Sequence, residues 1–256
     1  MSFMNRVQVV LCVLAGCAFM ASPVFFSDYV QGQSTNTQSV FPLDKITRDY
    51  NCETGYYALT FDDGPFPGHT EDLVAVLDKY HIPATFFNTG QHAAANPDLV
   101  KLEETVGPVA GHSYGHDDYT TLHPTVVASD IKRTLAVLPN SHFFRPPYGA
   151  TNAEVRKEIE AAGQTEAMWT VDTKDFEAPY TIEKLVKKAA EVKNGGIILM
   201  HDGWPNTVRA IPKVVNDLHA RGLCPGNLSR TKKQTQIMMD AGSVSPYPFN
   251  VKAVKP

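Results

Sequence analysis

The residues able to do chemistry in this chain fall into short groups, the first being "LTFDDGP" (Leu59–Pro65), where two carboxylates stand side by side after an apolar run. Asp-Gly and Gly-Pro are ordinary turn pairs, because Gly64 can take a positive φ and Pro65 cannot continue a strand. A turn needs only one aspartate, however. Adjacent carboxylates repel unless a hydrogen bond or a positive charge offsets them, so Asp62 and Asp63 point to a site where a cation or a proton transfer uses both. A second group, "GHSYGH", sets His112 and His116 four apart, on the same side of a helical turn or a tight loop. Alone, such a pair is commonly a surface or packing feature. Beside an Asp-Asp strand end it matches the two-histidine, one-carboxylate set of catalytic zinc sites, which keep a position open for water. Zinc, cobalt and nickel all suit these ligand types.

Regular elements must bring these groups together. From Tyr56 onward the apolar runs "YYALTF", "ATFFN", "PVAG", "HFF", "AMWTV" and "GIILM" alternate with stretches of helical period. Thr70 is expected to cap a helix with Glu71 and Asp72 in its first turn and Leu73, Leu77 and Tyr80 on one face. "TNAE" (Thr151–Glu154) reads as a capping box ahead of Val155, Ile159 and Ala162. Alternating strands and helices imply an α/β fold with parallel strands covered by helices. In such folds reactive residues gather at the C-terminal strand ends. Here "DD", "HSYGH", "RPPYG", "DTKDF" and "HDG" each follow one of the apolar runs.

At 256 residues the chain suits one large domain, and a formal net charge of -4 argues against a nucleic-acid partner. Arg6, the apolar stretch Val7 to Phe26 and the polar run "QGQSTNTQS" read as a targeting segment over residues 1–26, a signal peptide or a retained membrane anchor, followed by a linker over 27–50. "LAGC" (Leu14–Cys17) resembles a bacterial lipoprotein processing site. The expected location is extracellular or envelope-anchored, with membrane contact only if the segment is retained. Cys52 and Cys224 then remain as an even pair, which in an exported protein suggests one disulfide. Residues 230–256 read as a solvated tail.

In their order, "TFDDGP", "HSYGH", "RPPYG", "DTKDF" and "ILMHDG" resemble the five motifs of the polysaccharide deacetylase family, with its NodB homology domain, also known as carbohydrate esterase family 4. The resemblance covers residues 51–229. It implies a single-domain, distorted (β/α) TIM-like barrel of the NodB type and hydrolytic deacetylation of acetylated carbohydrate. It also divides the labour of the aspartate pair: Asp62 as base, and Asp63 as ligand, with His112 and His116, to one divalent ion, zinc foremost. Arg145 would pair with Asp62, the Tyr148 backbone N–H would serve the oxyanion, and His201 would be the general acid. Asp175 could orient His201 and raise its proton affinity, with Asp172 competing for that role. Leu199 and Trp169 would wall the acetyl methyl and the sugar face.

The chain departs from the family pattern in three places: Phe176 stands where a Trp is usual, the Asn that often precedes the first motif histidine is absent before His112, and the stretch Asp130 to Phe144 is short. The branch that "FNTGQHAAANPDLV" and "RGLCPG" resemble is that of secreted bacterial acetylxylan esterases and chito-oligosaccharide deacetylases. Tyr114, Tyr119, Tyr148, Trp169, Phe176 and Trp204 are the aromatics near the motifs, enough to stack on a few sugar rings. A monomer with an open cleft is therefore expected, acting on N-acetylglucosamine oligomers and on O-acetylated xylan. The alternatives are peptidoglycan deacetylation and a catalytically silent glycan-binding protein of the same fold.

Overall fold

A computed structural model describes residues 52–228 and 244–245. The expected targeting segment, linker and most of the tail lie outside these residues. Strand β1 (Gly55–Asp62) is the axis of the fold. It pairs in parallel with β7 (Gly196–His201) along one edge, while β8 (Leu223–Leu228) and β2 (Ala84–Asn88) divide the other, taking Gly55–Ala58 and Leu59–Asp62 respectively. Beyond β2 follow β3 (Val109–Gly111), β4 (Phe143–Phe144) and β5 (Thr165–Glu166), and beyond β7 lies β6 (Val171–Asp172), all parallel. Among the described residues only β9 (Val244–Ser245) runs antiparallel, against β8. No ladder joins β5 to β6 among the described residues, so the sheet curls as a distorted, incompletely closed (β/α) barrel.

Strand periodicity decides which side chains reach the barrel interior. On β1, Tyr57, Leu59 and Phe61 face outward into the main core, while Ala58 belongs to a second cluster with Phe87, Ala110, Phe143, Ala167, Ile197 and Leu228. Ile198 and Met200 of β7 likewise pack outward and Ile197 inward. The same parity carries Thr60 and Asp62 to the inside. Helices α1 (His69–Lys79), α6 (Ile182–Ala189) and α7 (Pro205–His219) cover the outward face with Leu73, Leu77, Leu185, Ala210, Ile211 and Val214. Helices α4 (Pro124–Val137) and α5 (Ala153–Ala161) close over Phe144 with Ile131 and Ile159. Two shorter helices, α2 (Gly90–Ala95) and α3 (Pro97–Glu103), follow β2.

Two helix starts differ from the sequence expectation. Gly68, not Thr70, is the N-cap of α1. Thr70 lies inside the helix and is buried, where its hydroxyl donates to Asp202 and accepts from the Phe66 N–H (2.7 Å). At α5 the cap is Asn152, whose side chain accepts from the Glu154 and Val155 N–H groups (3.0 and 2.9 Å), while Thr151 turns to Glu166. In both cases a tertiary partner outcompetes the local cap. A disulfide joins Cys52 to Cys224, with Cα atoms 5.4 Å apart, and so ties the approach to β1 to the start of β8.

Candidate active site

The five reactive groups converge at the C-terminal ends of β1, β3, β4, β6 and β7 around an open cleft of about 370 Å3. Neighbouring residues on a strand normally face opposite ways. Asp62 and Asp63 nonetheless share this cleft, because Asp63 leaves the β region for a left-handed conformation at φ 76°. Its N–H still closes the ladder on the Phe87 carbonyl (3.1 Å), so the reversal happens at the last rung. Ser113, His116, Tyr148 and Lys174 are also non-glycine residues at positive φ, and they sit in the other motif loops.

Asp62 is buried and fixed by Arg145, whose Nη1 lies 2.6 Å from Oδ1. Arg145 is the largest fully buried side chain among the described residues. Its remaining N–H groups donate to Thr60 Oγ1 (2.9 Å), Ala167 O (2.8 Å) and Met168 O (3.3 Å), and its plane covers the Phe87 ring at 3.9 Å. Burial pulls its pKa down and the Asp62 charge opposes that pull. A guanidinium this well partnered remains a cation and holds Asp62 in one orientation.

Asp63 Oδ1 faces His116 Nε2 at 3.1 Å and His112 Nε2 at 3.4 Å. Burial alone would raise the Asp63 pKa, but the two imidazoles outweigh it and hold the carboxyl well below the usual range. A carboxylate oxygen facing two ring nitrogens at this range calls for positive charge between them. The far ring nitrogens are already engaged: His112 Nδ1 donates to the Arg145 carbonyl (2.7 Å), and His116 Nδ1 lies 3.0 Å from the Tyr148 hydroxyl. Charging both imidazoles would set two cations with ring centroids 5.1 Å apart. A metal ion among the three ligand atoms, which lie within 4.8 Å of one another, avoids that repulsion and gives a partner to Asp63 Oδ1, otherwise buried without a hydrogen bond. The donor set fits a divalent cation with an open coordination position.

Across the cleft His201 Nδ1 lies 2.7 Å from Asp175 Oδ1, and Asp175 Oδ2 accepts from the His201 N–H (2.8 Å) and from Thr207 Oγ1 (2.7 Å). Burial would lower the His201 pKa, but the hydrogen bond and charge of Asp175, then the charges of Asp62 and Asp63, push it up to about 9. Asp172 does not compete for this contact: its carboxylate takes the Lys174 N–H (2.9 Å) and ammonium (3.0 Å). Phe176 stands edge-on to the His201 ring at 5.1 Å, and Leu199, Trp169 and Trp204 complete the apolar lining. Tyr148, 69% exposed, forms the opposite rim. Its N–H enters neither main-chain bond of its turn, which run from Gly149 to Pro146 O (3.2 Å) and from Ala150 to Pro147 O (2.9 Å).

Two of the aromatics expected near the cleft do not line it: Tyr119 is buried against Phe144, and Tyr114 lies under Arg133. Unanticipated from sequence were Tyr180, stacked on Trp204 at 5.4 Å, and Asp202, which donates its N–H to the Asp62 carbonyl (2.9 Å) and takes Thr70 and the Gly203 N–H on its carboxylate.

Comparison with known proteins agrees with this arrangement. Residues 50–167 match the polysaccharide deacetylase family model. A chitooligosaccharide deacetylase of Bradyrhizobium is 30% identical over 205 residues, covering 71% of this chain and 93% of that protein. The chain belongs to the polysaccharide deacetylase family. A bifunctional xylanase/xylan deacetylase of Cellvibrio japonicus is 36% identical over 185 residues, covering 70% of this chain but 28% of that longer protein. The family 4 carbohydrate esterase of Streptomyces lividans, solved with acetate, superposes with a TM-score of 0.68 at 38% identity, over 75% of this chain and 98% of that one. The deacetylase, an enzyme of the hydrolase class, thus shares the fold of carbohydrate deacetylases.

Proposed function

We propose that this deacetylase removes acetyl groups from short, soluble N-acetylglucosamine oligomers, with O-acetylated xylan as a second substrate, using a divalent ion, zinc foremost, held by Asp63, His112 and His116. When bound, the ion supplies Lewis acidity, lowering the pKa of the attacking water and drawing charge from the acetyl carbonyl. Asp62 accepts the proton of that water: Arg145 occupies its Oδ1, leaving Oδ2, 3.7 Å from His112 Nε2, directed at the ligand cluster. The Tyr148 N–H donates to the developing oxyanion. His201, kept protonated by Asp175, passes its proton to the departing amine or hydroxyl, which leaves acetate and the free sugar. Leu199, Trp169 and Phe176 exclude water from the acetyl methyl and sugar face.

The observation that carries this reading is the left-handed turn at Asp63, which sets a base fixed by Arg145 beside a ligand facing two imidazoles in one cleft. A neutral glycan is favoured by charge. Lys174, the lysine of the cleft lining, is paired with Asp172 (3.0 Å) and Glu177 (3.4 Å), and Arg145 beneath is spent on Asp62, so a lactyl carboxylate of muramic type meets no unpaired lysine or arginine there. The proposed setting is extracellular or envelope-anchored, reached through residues 1–26, where the Cys52–Cys224 bond forms and the protein works as a monomer. Membrane contact arises only if residues 1–26 are retained.

The test is acetate release from N-acetylglucosamine oligomers by the full chain, before and after chelation. Chelation is expected to abolish release and added zinc or cobalt to restore it. Full activity in a verified metal-free preparation overturns the ion, and no acetate from any acetylated glycan in the metal-loaded protein leaves a glycan-binding protein in place of an enzyme.

A further inference from the structure

Thr89, which joins β2 to α2, and the first turn of α2 make a run of contacts that the reaction itself does not call for. Thr89 N–H donates to Gly64 O (3.1 Å), Gly90 N–H to Ser113 O (2.8 Å) and Gln91 N–H to Tyr114 O (2.9 Å). His92 Nδ1 lies 2.7 Å from Asp63 O. A carbonyl oxygen only accepts, so His92 carries its proton on Nδ1 and donates it. Four successive residues thus bind the two loops that carry the proposed ligands, the outer two (Thr89 and His92) the aspartate loop and the inner two (Gly90 and Gln91) the histidine loop. Free N–H groups at the start of a helix commonly go to a cap or to water. Here the Gly90 and Gln91 N–H groups are taken by carbonyls of the histidine loop, while the His92 N–H goes to the Thr89 hydroxyl cap (3.4 Å).

We propose that Thr89–His92 is a clamp that sets the spacing of the cation ligands, with His92 the positioning residue for Asp63 and Gly90 the residue that lets the His112–His116 loop seat. The proposal rests on the metal reading given above. Asp63, Ser113 and His116 all hold left-handed backbone, at φ 76°, 60° and 67°, a state that persists only where the surroundings over-determine it. For Asp63 and Ser113 the clamp supplies that surrounding: Gly90 holds the Ser113 carbonyl and His92 the Asp63 carbonyl, while the Asp63 N–H is held by Phe87 O, so the peptide on either side of the ligand is fixed. Gly90 carries independent weight. A Cβ there would lie 2.5 Å from Tyr114 Cδ2 and 3.2 Å from its Cα, so any larger residue must push the Tyr114 ring aside and crowd the histidine loop at that residue.

His92 also packs on Phe66, with ring centroids 4.5 Å apart, and packing is the competing account of its presence. Two variants separate the roles. His92→Phe keeps an aromatic ring and loses the donor; His92→Asn keeps an N–H at the Nδ1 position and loses the ring. The readouts, on the full chain, are the dissociation constant for zinc in competition with a chromophoric chelator and the visible absorption of the cobalt-substituted protein, with the metal-free unfolding midpoint as the check on folding. His92→Phe is expected to bind zinc about tenfold more weakly, the effect of one lost hydrogen bond to a buried carbonyl, with an altered cobalt spectrum. His92→Asn is expected to stay near wild type, and Gly90→Ala to weaken binding through the other loop. Unchanged affinity and spectrum in both His92→Phe and Gly90→Ala, or an Asn variant as impaired as the Phe variant, overturns the clamp. A wild-type chain that binds neither ion overturns the metal reading instead, which is a separate result.

Discussion

Side by side in sequence, Asp62 and Asp63 meet different partners: a buried guanidinium at 2.6 Å for one, two imidazole edges at 3.1 and 3.4 Å for the other. That difference makes their substitutions distinguishable. Asp62→Asn should retain the bound ion and lose turnover by about 10²–10⁴-fold, since an amide cannot accept the water's proton. Asp63→Asn should lose the ion itself. Metal content by atomic absorption beside acetate release reads both, and an ion lost from the Asp62 variant but kept by the Asp63 variant reverses the assignment. At His201 the partner is Asp175, and the consequence is a pH dependence. The fold favours charged His201, so its contribution is complete below 6.5, the ordinary histidine value, and is lost as pH rises through about 9. A bound ion cancels the Asp63 share of that shift but not the share of Asp175, which holds Nδ1 directly. In Asp175→Asn the alkaline limb of kcat/KM should therefore move down toward 6.5. A limb that stays in place would remove Asp175 from this role.

Elements were legible where apolar runs were long enough to carry a period, and illegible where tertiary contacts replaced it. β1, β2 and β7 coincide closely with "YYALTF", "ATFFN" and "GIILM". "AMWTV" does not form the expected strand: only Val171 joins β6, because the Ala167 and Met168 carbonyls turn to Arg145. β8 went unread since "LCPGNL" carries Pro and Gly together. Pro225 is tolerated there because β8 pairs along β1 while β9 reaches only Asn227 and Leu228, leaving the missing N–H without a required partner. The reactive groups were visible by type and spacing; His92 was not, because its role lies in what its Nδ1 faces. Cys52 and Cys224 were read as a pair from their even number in a chain expected to be exported, and their link spans a sequence separation of 172. Closing so long a loop stabilises by roughly 2–4 kcal/mol, chiefly by restricting the unfolded chain. Non-reducing digestion of naturally exported protein should yield the linked peptides, and reduction should lower the melting temperature. Two freely alkylated thiols would contradict the pairing.

At the scale of the whole molecule, the cleft is asymmetric. Tyr148 stands on the side of the ligand loops with Trp169, which packs against Gly149, whereas Phe176, Trp204 and Tyr180 gather on the side of His201, the proposed general acid. Trp204 lines the cleft and Tyr180, stacked behind it with an interplanar angle of 20°, lines a neighbouring depression, so Tyr180 supports the indole rather than meeting substrate first. An aromatic face beside the general acid suits the sugar ring next to the one being deacetylated, because ring stacking is most useful where no bond is broken. Chain length should then matter: kcat/KM on N-acetylglucosamine dimers and trimers is expected to exceed that on the monomer, and acetylxylan to be used while crystalline chitin is used poorly. Trp204→Ala should erase most of the preference for oligomers, by about tenfold for the loss of one aromatic platform, and leave hydrolysis of a small acetate ester nearly unchanged. Side-by-side assays on the oligomers, acetylxylan and acetylated peptidoglycan at equal metal occupancy decide the matter. A preference for peptidoglycan with the oligomers untouched would mean that the paired Lys174 opens to receive the lactyl carboxylate, and that the charge argument for a neutral glycan is wrong.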